Sequence, residues 1–129
     1  DMTRTIFMGC ILEEIKPVYD LALKNLELST KEITDGYTIK TAANMVESDF
    51  KVNGYNLIHA LGHGVGLEVH ELPFIRLKNE ANFKENMVIA DEPGIYLPGK
   101  YGIRIEDTLL VTKDGSERLT KSERGYVVI

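Results

Sequence analysis

The sequence predicts an α+β fold in which helices pack on one side of a largely antiparallel sheet. Three observations carry that prediction. A short β-rich run opens the chain, two stretches with helical spacing of apolar residues follow, and from Tyr55 onward glycines punctuate short apolar runs. One strand, two helices and then several strands in series is the order expected of a helical layer laid against a sheet.

Thr3 to Met8 read as a strand centred on Thr5 and Ile6 and ended by Gly9. Between Ile11 and Ile33, Leu12, Ile15, Tyr19, Ala22, Leu26 and Ile33 recur on one face of a helix. Pro17 costs little there if the helix begins near Glu13 or Glu14, because a proline in the first turns removes few internal hydrogen bonds. Asp35-Gly36 form a stop, and Thr38 stands where it can cap a second helix reaching about Phe50. That helix turns Ile39, Ala42, Ala43 and Val46 inward, and Asn53-Gly54 close it. Leu57–His70, Met87–Ile95 and Ile103–Val111 read as strands joined by turns, with no internal repeat and no low-complexity stretch.

At 129 residues, 43% hydrophobic and 27% charged, the chain has the composition of an ordinary globular domain or part of one. A net charge of −5 with Lys, Arg, Asp and Glu intermixed leaves no basic stripe, so nucleic acid is not expected as a partner. No apolar run approaches the roughly 20 residues that span a bilayer, so no membrane partner is expected either. The single Cys10 cannot form an internal disulfide, which together with the lack of a signal-peptide pattern points to the cytoplasm.

All three histidines, His59, His63 and His70, fall within HALGHGVGLEVH. His59 and His63 have the spacing of two zinc ligands on a helix, but Ala60 occupies the position of a glutamate base and Gly62, Gly64 and Gly66 disfavour a helix. As a strand the segment places His63 and His70 on opposite sides, so they converge only through a bend or bulge that the glycines can supply. Glu92 ends an apolar run directly before Pro-Gly. Arg104 and Glu106 share one face of a strand whose other face carries Ile103, Ile105, Asp107, Leu109 and Val111. By themselves the pair reads first as a solvated face and second as part of a site. One imidazole with several carboxylates is a donor set suited to Mn²⁺, Co²⁺ or Zn²⁺, and two such ions sharing a hydroxide would attack a carbonyl.

HALGHGVGLEVHELP, EPGIYLPG, GIRIEDTLLVT and LTKSE, in this order and at these intervals, resemble the C-terminal motifs of the pita-bread metallopeptidases, above all the Xaa-Pro aminopeptidases and Xaa-Pro dipeptidases (prolidases). DMTRT resembles the family strand bearing its second metal-binding aspartate. The resemblance implies a metal-dependent hydrolase that cleaves the bond before a proline at the second position of a peptide, using two divalent ions, Mn²⁺ first and Co²⁺ or Zn²⁺ as alternatives. By position it makes Asp1 a bridging ligand, His63 the imidazole ligand, Glu92 a ligand and general base, and Glu106 the second bridging carboxylate. It gives His59 and His70 substrate-contacting roles and makes Arg104 an orienting partner of the carboxylates. Methionine aminopeptidases and non-catalytic pita-bread modules share the fold and are the alternatives.

The resemblance implies five ligands, of which four are present. The chain is therefore expected to be residues 1–129 of a partial catalytic domain, lacking its first aspartate strand and the family's N-terminal domain, and to have little or no activity alone. Exposed apolar surface would then be expected to drive either dimerisation, giving a homodimer, or poor solubility.

Overall fold

A computed structural model describes residues 1–129 as β1 (Ile6–Phe7), α1 (Lys16–Glu32), α2 (Ile39–Val52), β2 (Gly62–Gly64), β3 (Glu71–Ile75), β4 (Val88–Asp91), β5 (Gly94–Leu97), β6 (Tyr101–Arg104), β7 (Asp107–Thr112), β8 (Gly115–Arg118) and β9 (Val127–Val128). The α+β expectation holds. The central sheet has five antiparallel strands in the order β3-β2-β4-β7-β8, while β5-β6 form a separate hairpin and β1-β9 a short parallel pair.

Both helices lie on one face of the sheet. Their inward residues, among them Tyr19, Ala22, Leu26, Ile39, Ala42, Val46 and Phe50, join Ile75, Ile89, Leu109 and Val111 in one core of 21 buried residues. The strand register fixes the two faces. Gly62 pairs with Asp91, and Asp91 with Asp107, so these three side-chain positions share the helix-facing side. His63, Ala90 and Thr108 are paired one residue along and share the other side.

Several boundaries differ from the sequence expectation, each for a local reason. The first helix begins at Lys16, not Glu13 or Glu14, which puts Pro17 in its first turn, where its missing N–H is least needed. Thr38 does occupy the N-cap of α2, but its hydroxyl bonds Asn82 Oδ1 at 3.1 Å and leaves the helix end uncapped by a side chain. Thr3 to Met8 contribute only a two-residue strand, with Thr3 in an isolated bridge to Glu106. Met87–Ile95 and Ile103–Val111 are each two strands, the first broken at Glu92-Pro93 and the second at Ile105-Glu106. In Leu57–His70 only Gly62–Gly64 are strand. No helix is long and apolar enough to cross a membrane.

Candidate metal centre and substrate cleft

The site is built where four segments meet on the sheet face opposite the helices. β2 carries His63, Glu92 follows β4 by one residue, Glu106 precedes β7 by one, and Asp1 is brought in by the bridge between Thr3 and Glu106. The ligand atoms of Asp1, His63 and Glu106 lie within 4.8 Å of one another. Glu92 Oε1 is 3.4 Å and Asp1 Oδ2 3.6 Å from His63 Nε2.

His63 is 3% exposed, and its orientation follows from its hydrogen bond. Nδ1 lies 3.0 Å from the Gly64 carbonyl oxygen, which can only accept, so Nδ1 carries a proton and Nε2 is the nitrogen turned to the carboxylates. Facing two carboxylate oxygens at these distances, Nε2 is suited to share a cation with them, either a proton on the nitrogen or a metal ion between the groups. The donor set of oxygens and one imidazole fits a divalent ion such as Mn²⁺, Co²⁺ or Zn²⁺.

The one cation beside the carboxylates is Arg104. Its Nη1 is 3.7 Å from Glu92 Oε2 and its Nε 3.8 Å from Glu106 Oε2. Thr3 completes the arrangement by accepting from Arg104 Nε at 3.0 Å and donating to Glu106 Oε2 at 2.5 Å. Arg104 is thus placed to orient both glutamates. Contrary to the solvated-face reading of the Arg104/Glu106 pair, Glu106 is 2% exposed, because Thr3 and the N-terminal segment cover it.

His70 approaches His63 with ring centroids 4.3 Å apart, across a register shift between His63 and Gly64 that supplies the expected bend. The segment after Gly64 leaves the sheet and returns as β3. His59 stands across the cleft. Its Nδ1 is 2.6 Å from its neighbour Ala60's carbonyl oxygen, so that nitrogen donates and Nε2 accepts from the Tyr96 hydroxyl at 3.0 Å. In this tautomer His59 offers a substrate no N–H; Nε2 donates only when it carries a proton itself.

His59, His63, His70, Phe74, Arg76, Glu92 and Arg104 line a cleft of about 310 Å³. An apolar groove of about 480 Å³ adjoins it, sharing His59, Ala60 and Arg76 and walled by Leu57, Ile58, Ile75 and Leu77. Sequence reasoning missed Thr3, Tyr96, Arg76 and the buried pair Asp91 and Asp107. Asp107 had the clearest signal, a carboxylate in the buried register of an otherwise apolar strand.

One buried imidazole with three carboxylates gathered about it, on one face of an α+β sheet, is the donor set of a divalent-metal site. The sequence profile of metallopeptidase family M24 matches residues 1–113, and the chain belongs to that family. It is 44% identical over 126 residues to a protein of Pyrococcus furiosus named Xaa-Pro dipeptidase, an alignment that spans 96% of this chain and 36% of that protein. It superposes with a TM-score of 0.96 on an X-Pro aminopeptidase from Thermotoga maritima, at 39% identity, covering 100% of this chain and 37% of the other. A Xaa-Pro dipeptidase from Bacillus anthracis also superposes at a TM-score of 0.96, with 34% identity and the same coverage. The fold is the pita-bread fold of these peptidases, and the chain spans a little over a third of the length of the relatives it matches.

Proposed function

We propose that this chain carries most of the metal site of a cytoplasmic Xaa-Pro peptidase, a hydrolase that cleaves the peptide bond preceding a proline. The observation that carries the reading is the convergence of Asp1, His63 and Glu106 within 4.8 Å, with Glu92 against His63. The names of the relatives support proline specificity over methionine-aminopeptidase activity, and retention of all four donors speaks against a non-catalytic module. In the proposed arrangement residues 1–129 are part of a longer catalytic domain.

His63 Nε2, Asp1, Glu92 and Glu106 would hold divalent ions, with Mn²⁺ as the first candidate. Such ions supply Lewis acidity, acidifying a water and polarising the scissile carbonyl. Glu92 Oε1, at the cleft beside His63, takes the proton of the attacking water while Arg104 holds Oε2. His70, against His63 at the cleft wall, and His59, with a proton on Nε2 and Tyr96 displaced, donate to the oxygen on which charge develops. Proline lacks an N–H, so a groove walled by Leu57, Ile58, Ile75 and Leu77 suits its ring. Arg76 lines both cavities without an ion pair and is placed to meet a substrate carboxylate, which favours dipeptides.

Three carboxylates and one imidazole are few donors for two dications, so this chain is proposed to bind one ion tightly and a second weakly, with little turnover. Calorimetric titration with Mn²⁺ beside an assay on an Xaa-Pro dipeptide tests this, repeated on His63→Ala. Loss of the tight ion in the variant sustains the site. Equal Mn²⁺ binding by both chains refutes it, and full turnover by the wild-type chain refutes the claim of incompleteness.

A further inference from the structure

We propose that Arg4, Asp107 and Arg124 form a positioning device for the metal site, and that segment 118–125 works as part of that site through them. The inference rests on the metal-binding reading above. Residues 118–125 lie beyond the residues matched by the family profile, and they carry none of the donors so far described.

Asp107 is completely buried on the helix-facing side of β7, back to back with the metal cluster. One of its oxygens accepts from Arg4 Nη2 and Thr120 Oγ1, each at 2.5 Å, and the other from Arg124 Nε at 2.5 Å. Burial pushes the Asp107 carboxyl up, but the hydrogen bonds from Thr120, Arg4 and Arg124 outweigh it and hold the group below the usual range. The other terminal nitrogen of Arg4 reaches a different target. Nη1 donates to the carbonyl oxygens of Thr3 at 2.8 Å and Glu106 at 2.6 Å, the two residues of the bridge that joins the N-terminal segment to the sheet.

That bridge is weak by itself. Of its two backbone bonds one is 3.4 Å, beyond the ordinary range for N–H···O, and the other 3.1 Å, near the upper end of that range. Yet it decides where Asp1 stands relative to Glu106, because Thr3 follows Asp1 by two residues and Thr108 Oγ1 holds the Asp1 carbonyl at 2.6 Å. A guanidinium bonded to both carbonyls converts the weak bridge into a fixed joint. Arg4 is itself fixed by Asp107 and by the Ser122 carbonyl at 3.1 Å. Asp107 is in turn fixed by Thr120 and Arg124, and Tyr19 Oη on α1 anchors this segment by donating to the carbonyls of Arg124 and Gly125. The chain of support runs from helix α1 through segment 118–125, Asp107 and Arg4 to the separation of two metal-binding carboxylates.

The test is Mn²⁺ calorimetry on the 129-residue chain and on Arg4→Met, Arg124→Met, Thr120→Val and Lys121→Ala. It is run at a temperature where each metal-free protein has wild-type circular dichroism. Arg4→Met and Arg124→Met are expected to lose about 10- to 100-fold in Mn²⁺ affinity, the usual effect of removing a group that orients ligands. Arg124→Lys should restore part of the loss. Lys121→Ala, exposed on the same segment, should leave affinity unchanged. A folded Arg124→Met that binds Mn²⁺ like wild type overturns the proposal, since a purely structural contact would lower only the melting temperature. If the methionine variants do not fold, Thr120→Val decides, a few-fold loss supporting the device and none refuting it. Should the wild-type chain bind no Mn²⁺, the metal reading falls, and amide exchange at Thr3 and Glu106 judges the joint separately. Faster exchange at both in the variants sustains the joint, and unchanged rates refute it.

Discussion

Asp91 and Glu92 are neighbours in the chain but face opposite sides of the sheet, and the two carboxyls meet opposite chemistry. Glu92 opens onto the cleft beside His63 and Arg104. Asp91 points into the helix layer, fully buried, with Ser29 Oγ donating to one oxygen at 2.6 Å and nothing partnering the other. Burial pushes its carboxyl up to about 8, against smaller lowering effects from Ser29 and Arg124. A carboxyl raised in the folded state stays protonated after its unfolded counterpart has lost the proton. Its contribution is therefore greatest below about pH 4 and declines until about pH 8. Between pH 5 and 8, urea titrations in the presence of chelator should show the chain losing up to about 1.4 kcal/mol of stability per pH unit from this group. Asp91→Asn should flatten the slope, and a slope unchanged in the variant would place the proton elsewhere. Arg76 is a second residue whose surroundings predict its use. Its guanidinium lies 4.7 Å above the Phe74 ring, and it forms no ion pair. Arg76→Gln should weaken binding of an Xaa-Pro dipeptide by about tenfold while leaving its C-terminal amide unaffected, as calorimetry with each ligand would show.

At the scale of elements, the glycines around His63 set how closely strands can approach. A Cβ on Gly62 would stand 1.9 Å from the Ala90 carbonyl oxygen, and one on Gly64 would stand 2.3 Å from that of Leu72. Backbone cannot yield as a side-chain tip can, so Gly62→Ala must push β2 off β4 and move His63 with it. The expected result is destabilisation of more than about 3 kcal/mol in chemical denaturation, with lost Mn²⁺ affinity in whatever remains folded. The same elements show what the sequence discloses and what it withholds. The two helices were legible because Tyr19, Ala22 and Leu26, and then Ile39, Ala42, Ala43 and Val46, repeat with the helical period on a single buried face. The strands were legible as apolar runs, but their ends were not, because Glu92-Pro93 and Ile105-Glu106 break the ladder without breaking the hydropathy. The site histidines and glutamates stood out by concentration and by matching motifs. The cluster around Asp107 did not, since its partner Arg4 lies 103 positions away and no local period joins them.

Across the whole molecule, the four proposed donors come from positions 1, 63, 92 and 106: the last three sit on or beside the paired strands β2, β4 and β7, while Asp1 belongs to a segment joined to them by the isolated bridge between Thr3 and Glu106. Without a metal ion, the carboxylates of Asp1, Glu92 and Glu106 crowd together with Arg104 beside two of them, and their mutual repulsion opposes closure of the site. An ion bound only by the folded chain shifts the unfolding equilibrium by mass action. At a free concentration one hundred times its dissociation constant, the gain is about 2.7 kcal/mol. For a chain of this size that corresponds to a rise on the order of ten degrees in melting temperature. Scanning calorimetry with Mn²⁺ should therefore show a concentration-dependent rise that excess chelator reverses and that His63→Ala abolishes. Mg²⁺ should give a smaller shift, because it binds imidazole poorly and resists dehydration. Equal shifts from Mn²⁺ and Mg²⁺ that survive in His63→Ala would mean that the ions screen the acidic surface rather than occupy this site, which would count against the His63 centre as the place where metal binds.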